Sequence, residues 1–555
     1  MNNKQSLQKQ HTSKVRKPWF RTFFHYCSVK WNKLWNGHPP DYVLLTIASI
    51  TALVMSVPII YVIWRSLFAG SERWLKLLDT RIPGLLWNTL SLTFVVTALA
   101  VTMGVALAWF VNRCDLPGGK TWQWLLALPL VIPPYVGAMT YIIILGPRGW
   151  LWDVWGSQPW LQSIFENYPI NIYSFWGLVF VLTMFTYPYV FLIASASLRK
   201  MNRNFEDAAR SQGYSMQSIF WKISLPFLRP AIGAGAILIA LYVLSDFGAI
   251  SMLRYMTFTS AIYYQMGSFD SVAATVLSMV LILITIVVLW IEASTRKRTV
   301  HQTSNSYKPP ELIKLGRWKT LVMGIVLAVF VLSVVLPVIV LVYWSSIGIS
   351  MGAINSKFWQ YTWNSILVCG LASLFSMLLA LPLIYLKSRY RSVFTRMIDR
   401  LAYSGYALPG IIVALGIIFI FNNYIQLLYG SFILIAIAYI VRFLPQAMQS
   451  GEASLNLISP RIDEAARSLG HSSLKILFKI TLPLIMPGVL AGGALVFVSS
   501  MKELPATLLL RPPGFDTLSV RIWVEAGEAV YHLAAPAALL VILVATLPLR
   551  WMLNK

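Results

Sequence analysis

The sequence predicts an all-α polytopic membrane protein made of two parallel six-helix repeats. Three observations predict it. Of 555 residues, 57% are hydrophobic and only 12% charged, too few charges to cover a water-facing surface around so much apolar side chain. The apolar residues fall into long runs, and a run of 18 or more reads as a membrane helix, which needs about 20 residues. A polar segment also recurs: EDAARSQGYSMQSIFWKISLPFLRPA at 206–231 aligns without a gap on DEAARSLGHSSLKILFKITLPLIMPG at 463–488, an offset of 257 residues (206 to 463).

Twelve runs are long enough to span. They lie near 42–64, 87–111, 122–145, 173–197, 231–250, 271–292, 320–345, 363–386, 398–422, 431–449, 485–501 and 533–552. The net charge of +25 follows from their sidedness and implies no nucleic-acid partner, because cytoplasmic loops of membrane proteins are enriched in Lys and Arg. The arm before Asp41 carries eight Lys/Arg and no acid. Loop 293–319 carries Arg296, Lys297, Arg298, Lys308, Lys314, Arg317 and Lys319, and loop 387–400 carries Lys387, Arg389, Arg391, Arg396 and Arg400. By contrast 146–172 offers only Arg148 against Asp153 and Glu166, and 346–362 only Lys357. Basic and non-basic loops alternate, so both termini and both copies of the polar segment are expected in the cytoplasm. Span centres read as nearly free of charge.

Cys27, Cys114 and Cys369 have neither disulfide nor metal spacing and read as packing residues. The forty polar residues before the first span are too long for the n-region of a cleavable signal. They form a basic N-terminal arm, 1–41, suited to an anionic lipid surface or to disorder.

The repeat extends beyond the polar segment. Trp87-Asn88 matches Trp363-Asn364, Pro134 matches Pro409, Ser174-Phe175 matches Ser431-Phe432, and Pro188 matches Pro445. The offset falls from about 275 to 257, which places a longer outer loop, GPRGWLWDVWGSQPW at 146–160, in the first half. Equivalent loops face the same side, so the halves, 42–293 and 320–555, are parallel and joined by a cytoplasmic linker, 294–319. Such a pair favours a route between the halves.

The polar segments lie in loops 199–230 and 451–487. In the second, Ser459 is an N-cap before Pro460, and Ile462, Ala465, Ala466 and Leu469 make a narrow apolar stripe. Gly470 is placed to end the helix in a left-handed turn. In the first, Asn204 reads as the cap, Phe205, Ala208, Ala209 and Gln212 as the stripe, and Gly213 as the stop. Glu206, Asp207, Asp463 and Glu464 sit in the first turn, where the helix dipole favours acids, and Arg210 and Arg467 are available to a partner. Second helices are expected from Ser215 and Ser472, with Pro226 and Pro483 leading into the next span. Helices this short need a partner surface. Either they cover their own bundle, or, as the symmetric duplication favours, they dock onto two copies of a partner.

The pattern Glu464-Ala465-Ala466, Gly470, Ile480, Leu482, Pro483 resembles the EAA loop of bacterial ATP-binding-cassette importer permeases. The first copy fits with Asp207 in place of the glutamate, through Ala208, Ala209, Gly213, Ile223, Leu225 and Pro226. The resemblance runs from about 42 to 552 and implies a type I importer permease fold. In that family the loop is a coupling helix seated in a groove of the ATPase. The resemblance therefore implies two ATPase subunits beneath the chain, a substrate-binding protein outside it, and a bacterial inner-membrane location.

No ATPase is expected in the chain itself. CDLPGGKT at 114–121 ends like a phosphate-binding loop, but Cys114 stands where the first glycine belongs and no strand precedes it. It reads as a tight turn, and ATP and Mg²⁺ belong to the partner. HExxH, GxSxG and clustered histidines are absent, so no hydrolytic chemistry is expected.

The 257 offset also places Asp246 opposite Glu503, Arg254 opposite Arg511 and Phe258 opposite Phe515. The acids follow the fifth and eleventh spans and are candidates for the mouth of a cationic path, with Arg254 and Arg511 as outer-face contacts. The competing reading is ordinary ion pairing with Lys502, Arg254 or Arg511. VLSDFGAISMLRYMTFTSAIY (243–263), MKELPATLLLRPPGFDTLSVRIW (501–523) and LALPLVIPPYVGAMTYIIILGPRG (126–149) resemble the fused permeases of ferric-iron importers. Oxygen-bearing acids suit a hard trivalent cation. The resemblance thus implies ferric iron, bare or chelated, as cargo, with its high-affinity site on a ferric-binding protein and no firm metal site here. Thiamine, sulfate, molybdate, polyamine or phosphonate are the alternatives within the family. A secondary transporter would need ionisable residues buried mid-span and no matched loops, and a receptor would move nothing.

Overall fold

The computed structural model describes residue 35 and residues 40–295, 308, 311–406 and 408–553. The arm 1–34 with Cys27, and linker residues 296–307, lie outside the described residues. Among those described the chain is helical, with one isolated bridge between Cys114 and Ile313.

Among the described residues nine helices are long and apolar enough to cross a membrane. They are α1 (Tyr42–Leu67), α2 (Ile82–Arg113), α4 (Phe175–Lys200), α5 (Leu225–Ser245), α6 (Ser271–Thr295), α7 (Gly316–Ser350), α8 (Ser356–Arg389), α10 (Ile433–Leu455) and α11 (Leu482–Met501). The last, α12, runs Tyr531–Leu553. Apolar side chains such as Trp87, Phe94 and Leu543 stand exposed on the outside of these helices, as a lipid-facing surface requires.

The third and ninth expected spans are not single helices. The third is a pair, Gly119–Leu130 and Pro134–Ser157, bent by 90°. The second member opens with α3 (Pro134–Leu145). The ninth divides into Val393–Ala402 and α9 (Gly410–Tyr424). Prolines cause both breaks: a proline cannot donate to the preceding turn, and it forces the residue before it out of helical geometry. Pro133 caps α3 with ψ 136° and Pro409 caps α9 with ψ 138°. The structural equivalents are therefore Pro133 and Pro409, with Pro134 opposite Gly410. That corrects the Pro134–Pro409 alignment by one residue and restores the 276-residue offset seen from Trp87 to Trp363.

Each half is built on a three-helix core, α2 with α4 and α5, and α8 with α10 and α11. The first helix of each half reaches across. α1 packs on α6 and on α9 of the other half, and α7 packs on α12 and on α3 of the other half. The Tyr141 hydroxyl on α3 donates to the Leu332 carbonyl on α7 at 2.5 Å. At the α1–α9 crossing a Cβ on Gly416 would stand 2.3 Å from the Pro58 carbonyl oxygen, so backbone meets backbone there. Trp35 also reaches the second half, buried edge-on against Tyr390 and Phe394.

The crossing arms supply a test of packing. Gly416→Val is expected to destabilise the folded chain by about 1–3 kcal/mol through overpacking against a carbonyl that cannot swing away. Thermal unfolding in detergent measures it; Gly370, with open space around it, is the control position.

Candidate functional site

Two pieces of structure carry chemistry: the paired polar loops and a cavity between the halves. The helix expected to couple is Arg203–Ser211 in the first loop and Pro460–Ser468 in the second. Ser459 caps the second, accepting from the Arg461 N–H. The first is capped by Asn202, which accepts from the Asn204 N–H, rather than by Asn204. Asn202 is the residue 257 before Ser459, so the caps obey the repeat. Gly213 (φ 84°) and Gly470 (φ 80°) end the helices in the left-handed conformation that glycine adopts freely. Ser472 caps the next short helix through the Lys475 N–H, and the Ser215 hydroxyl accepts from the Ser218 N–H.

The acids of these loops divide sharply. Glu206 and Asp463, expected at the docking face, are buried against their own chain. Both Glu206 carboxylate oxygens lie 2.6 Å from Nη2 of Arg113 at the end of α2. Asp463 Oδ2 lies 2.5 Å from Nε of Arg389 at the end of α8. A hydroxyl completes each: Ser224 donates to Glu206 at 3.5 Å and Thr481 to Asp463 at 3.2 Å. A buried carboxylate requires such partners, which is why these acids turn inward. Arg113 and Arg389 are 276 residues apart and Ser224 and Thr481 are 257 apart, so the repeat offsets already paired them, although the charge rule accounted for Arg389 merely as a cytoplasmic charge.

The neighbouring residues face outward. Glu464, Ala465 and Ala208 are exposed and Asp207 is half-buried, whereas Ala209 and Ala466 are buried. Phe205 and Ile462 stand 45% and 43% exposed, and Leu469 78%. The outward stripe is thus Phe205 and Ala208 in one loop and Ile462, Ala465 and Leu469 in the other. The arginines are partly engaged. Arg210 reaches Glu311 of the linker at 3.5 Å, and Glu311 also pairs with Arg203 at 2.7 Å. Arg467 lies over the Tyr390 ring and donates to the Tyr385 hydroxyl at 3.4 Å.

The loop 114–121 is a turn locked by the linker. Gly118 is left-handed and opens the helix Gly119–Leu125. The Asp115 carboxylate accepts from the Leu315 N–H at 3.0 Å and lies 3.3 Å from Lys319. The Leu315 N–H and then the Lys319 charge hold that carboxyl below its ordinary pKa. Burial, then the Asp115 charge, push the Cys114 thiol up to about 11, so it stays a thiol.

The cavity between the halves has a volume of about 180 Å³. Asp246 and Glu503 both line it, at 8% and 5% exposure. Asp246 caps the end of α5 and accepts from the Ile250 N–H at 3.2 Å. Glu503 follows α11 and is paired 2.5 Å from Nη1 of Arg442. Lys502, also on the wall, donates across the seam to the Leu130 carbonyl at 2.9 Å. Tyr135, Tyr189, Tyr242, Tyr406, Ser245, Gln446 and Ser499 add to the polar lining. Two acids and two bases thus share one space, a balance that holds charge without trapping one sign. No group of three or more His, Cys, Asp or Glu is placed to hold a metal ion among the described residues.

Arg442 is the residue that sequence reasoning passed over. It lies inside α10, in a span taken as uncharged, and a lone arginine in an apolar helix was itself the signal. Its counterpart 257 residues earlier is Phe185, so only the second half carries it. The α9 turn permits the pair: a Cβ on Gly410 would stand 2.2 Å from both Arg442 Nη1 and Glu503 Oε1.

The outer arginines do not pair with the cavity acids. Arg511 pairs with Asp516, and exposed Arg254 (φ 56°) lies 5.3 Å over the Tyr173 ring. Phe515 stacks on Phe432, while Phe258 is buried.

A family model described as binding-protein-dependent transport system inner membrane component matches the chain twice, over residues 100–300 and 372–553. The Fe(3+)-transport system permease protein FbpB 2 of Haemophilus influenzae is 36% identical over 519 residues, 92% of this chain and 97% of that protein. The ferric transport system permease protein FbpB of Actinobacillus pleuropneumoniae is 23% identical over 486 residues, 82% of this chain and 69% of that protein. The sulfate transport system permease protein CysW of Escherichia coli is 26% identical over 205 residues, 37% of this chain and 67% of that protein.

Breaking one side of the seam pair exposes the cost of an uncompensated buried charge. Glu503→Leu is expected to destabilise the chain by about 3–5 kcal/mol, and adding Arg442→Leu to recover most of it. Thermal unfolding of the two variants in detergent measures the difference.

Proposed function

The chain belongs to the family of binding-protein-dependent transport system inner membrane components, and on that premise we propose that it is the membrane subunit of an ATP-driven importer of ferric iron. The carrying observation is the 36% identity over 92% of the chain to a protein named for Fe³⁺ transport. The two halves, 42–293 and 320–555, sit in the inner membrane, with both termini in the cytoplasm by the charge of their loops.

Two copies of an ATPase dock beneath, one on each coupling helix. The outward stripes Phe205–Ala208 and Ile462–Ala465–Leu469, flanked by Asp207 and Glu464, suit a groove with apolar floor and basic rim. Gly213 and Gly470 set the turn that keeps each helix proud of the bundle. ATP and Mg²⁺ are held by those subunits, and in this chain the 114–121 turn is tied to the linker through Asp115. A ferric-binding protein delivers cargo from outside, near the Arg254 and Arg511 segments.

Closure of the ATPases moves the coupling helices, and the halves tilt about the crossed arms α1 and α7. Only differential contacts in two states shift such an equilibrium. The cavity between the halves is then opened to alternate sides. Asp246 and Glu503 line its wall and meet the cation in transit. Arg442 and Lys502 offset them, which favours passage over retention and leaves tight binding to the delivery protein. The same two cations favour an oxyanion, or a ferric ion chelated by one, as a second reading, and the sulfate relative is in keeping with it.

Ala208→Trp with Ala465→Trp is expected to abolish co-purification of the ATPase while the chain still inserts, and undiminished co-purification would sink the docking assignment. Asp246→Ala, which leaves the Arg442–Glu503 pair intact, is expected to cut ferric uptake in ATP-loaded vesicles by about tenfold, a loss of about 1.4 kcal/mol, and to leave the affinity of the delivery protein for iron unchanged. Sulfate uptake measured in the same vesicles separates the second reading.

A further inference from the structure

The docking face uses the acids at Asp207 and Glu464 and leaves Glu206 and Asp463 without a part. Their surroundings give them one. Immediately before α5 lies a π-helical turn, Phe220–Ser224, and before α11 lies its equivalent, Leu477–Thr481. A π turn carries an extra residue in its hydrogen-bonded ring and frequently marks a functional site. With the short helix that precedes it, Met216–Ile219 or Ser473–Ile476, it connects the coupling helix to the following span, and so lies where a push from that helix would be absorbed. Each π turn ends on the hydroxyl residue that reaches the buried acid, Ser224 to Glu206 and Thr481 to Asp463. The same acid holds the arginine that ends α2 or α8. One carboxylate therefore joins three elements, the coupling helix, the preceding long span and the start of the following one. The pairs are nearly dry, with side chains 1% and 2% exposed in the first and 6% and 3% in the second. In so little water the attraction is strong and directional. The second joint trades Glu for Asp and Ser for Thr, and keeps the same three-way connection.

We propose that Glu206 and Asp463 are positioning residues which lock coupling helix, α2 or α8, and α5 or α11 into a single joint, so that displacement by the ATPase reaches the cavity walls. This rests on the proposed function, and the test separates the two. The full chain is co-purified with its ATPase, reconstituted in vesicles with ferric-loaded delivery protein, and assayed for ATP hydrolysis and iron uptake. Glu206→Gln with Asp463→Asn is expected to keep the ATPase bound and hydrolysing while uptake per ATP falls about tenfold, the size of an ordinary coupling free energy. Glu206→Asp with Asp463→Glu, which keep the charge, are expected to restore most of that ratio. Parental uptake per ATP in the neutralised chain would overturn the proposal, and so would loss of the ATPase from it, since the acids would then serve docking. Where the neutralised chain does not accumulate, Arg113→Met with Glu206→Met decides, because replacing both members of a buried pair by apolar residues commonly preserves the fold. That variant is expected to accumulate and bind the ATPase yet remain uncoupled; a parental ratio in it overturns the proposal. A parental chain that retains no ATPase would instead sink the proposed function.

Discussion

A charge that leaves water must meet its opposite, and that requirement arranges the working parts of this molecule. In a chain with so few charged residues, three pairs stand buried or nearly so at junctions between helices, while buried Asp246 takes a backbone N–H instead. Arg113 with Glu206 and Arg389 with Asp463 close the cytoplasmic ends of α2 and α8. Arg442 with Glu503 ties α10 to the end of α11 beside the cavity. Each pair links elements far apart in sequence, so each fixes a relative position that apolar packing alone would leave free to slide. A greasy interface between helices is nearly flat in energy over small shifts, whereas a pair in low dielectric has one best geometry.

The halves share this plan but have diverged. The described linker residues contact the first half: Ile313 bridges Cys114, Glu311 meets Arg203, and Asp115 takes Leu315 and Lys319. The second coupling helix instead leans on its own aromatic neighbours, Tyr385 and Tyr390. Across the seam the second half supplies Arg442 where the first has Phe185. The two polar loops therefore differ in their contacts, and the cavity is lined unequally although its acids are equivalent.

Much of this was legible in the sequence because it rests on periodicity and on repetition. Among the described residues nine spans are single helices because their long apolar runs outweigh even the internal prolines at Pro58, Pro188, Pro230, Pro382, Pro445 and Pro487. Gly213 and Gly470 stop their helices because turn chemistry is local. The misses are tertiary. Asn204 and Asn202 are equally good caps by composition, and the backbone decides for Asn202. Which of two adjacent acids turns inward depends on where α2 and α8 end, so Glu206 and Asp207 were indistinguishable until Arg113 was placed. Arg442 was hidden by the average hydrophobicity of α10.

The breaks at Pro133 and Pro409 carry the last step. Backbone that leaves helical geometry within a membrane strands its polar groups, and is tolerated only where protein or a water-filled space receives them. A chain avoiding that cost would have kept the third and ninth spans whole, as the other spans are. Both breaks instead fall next to the cavity: Leu130, Ile132 and Pro133 line it on one side, and Gly410 admits Arg442 to Glu503 on the other. The Leu130 carbonyl meets Lys502 there. The interruptions are therefore part of the wall rather than defects in two helices. The same prolines that spoil the span pattern in the sequence mark where the two halves leave room between them.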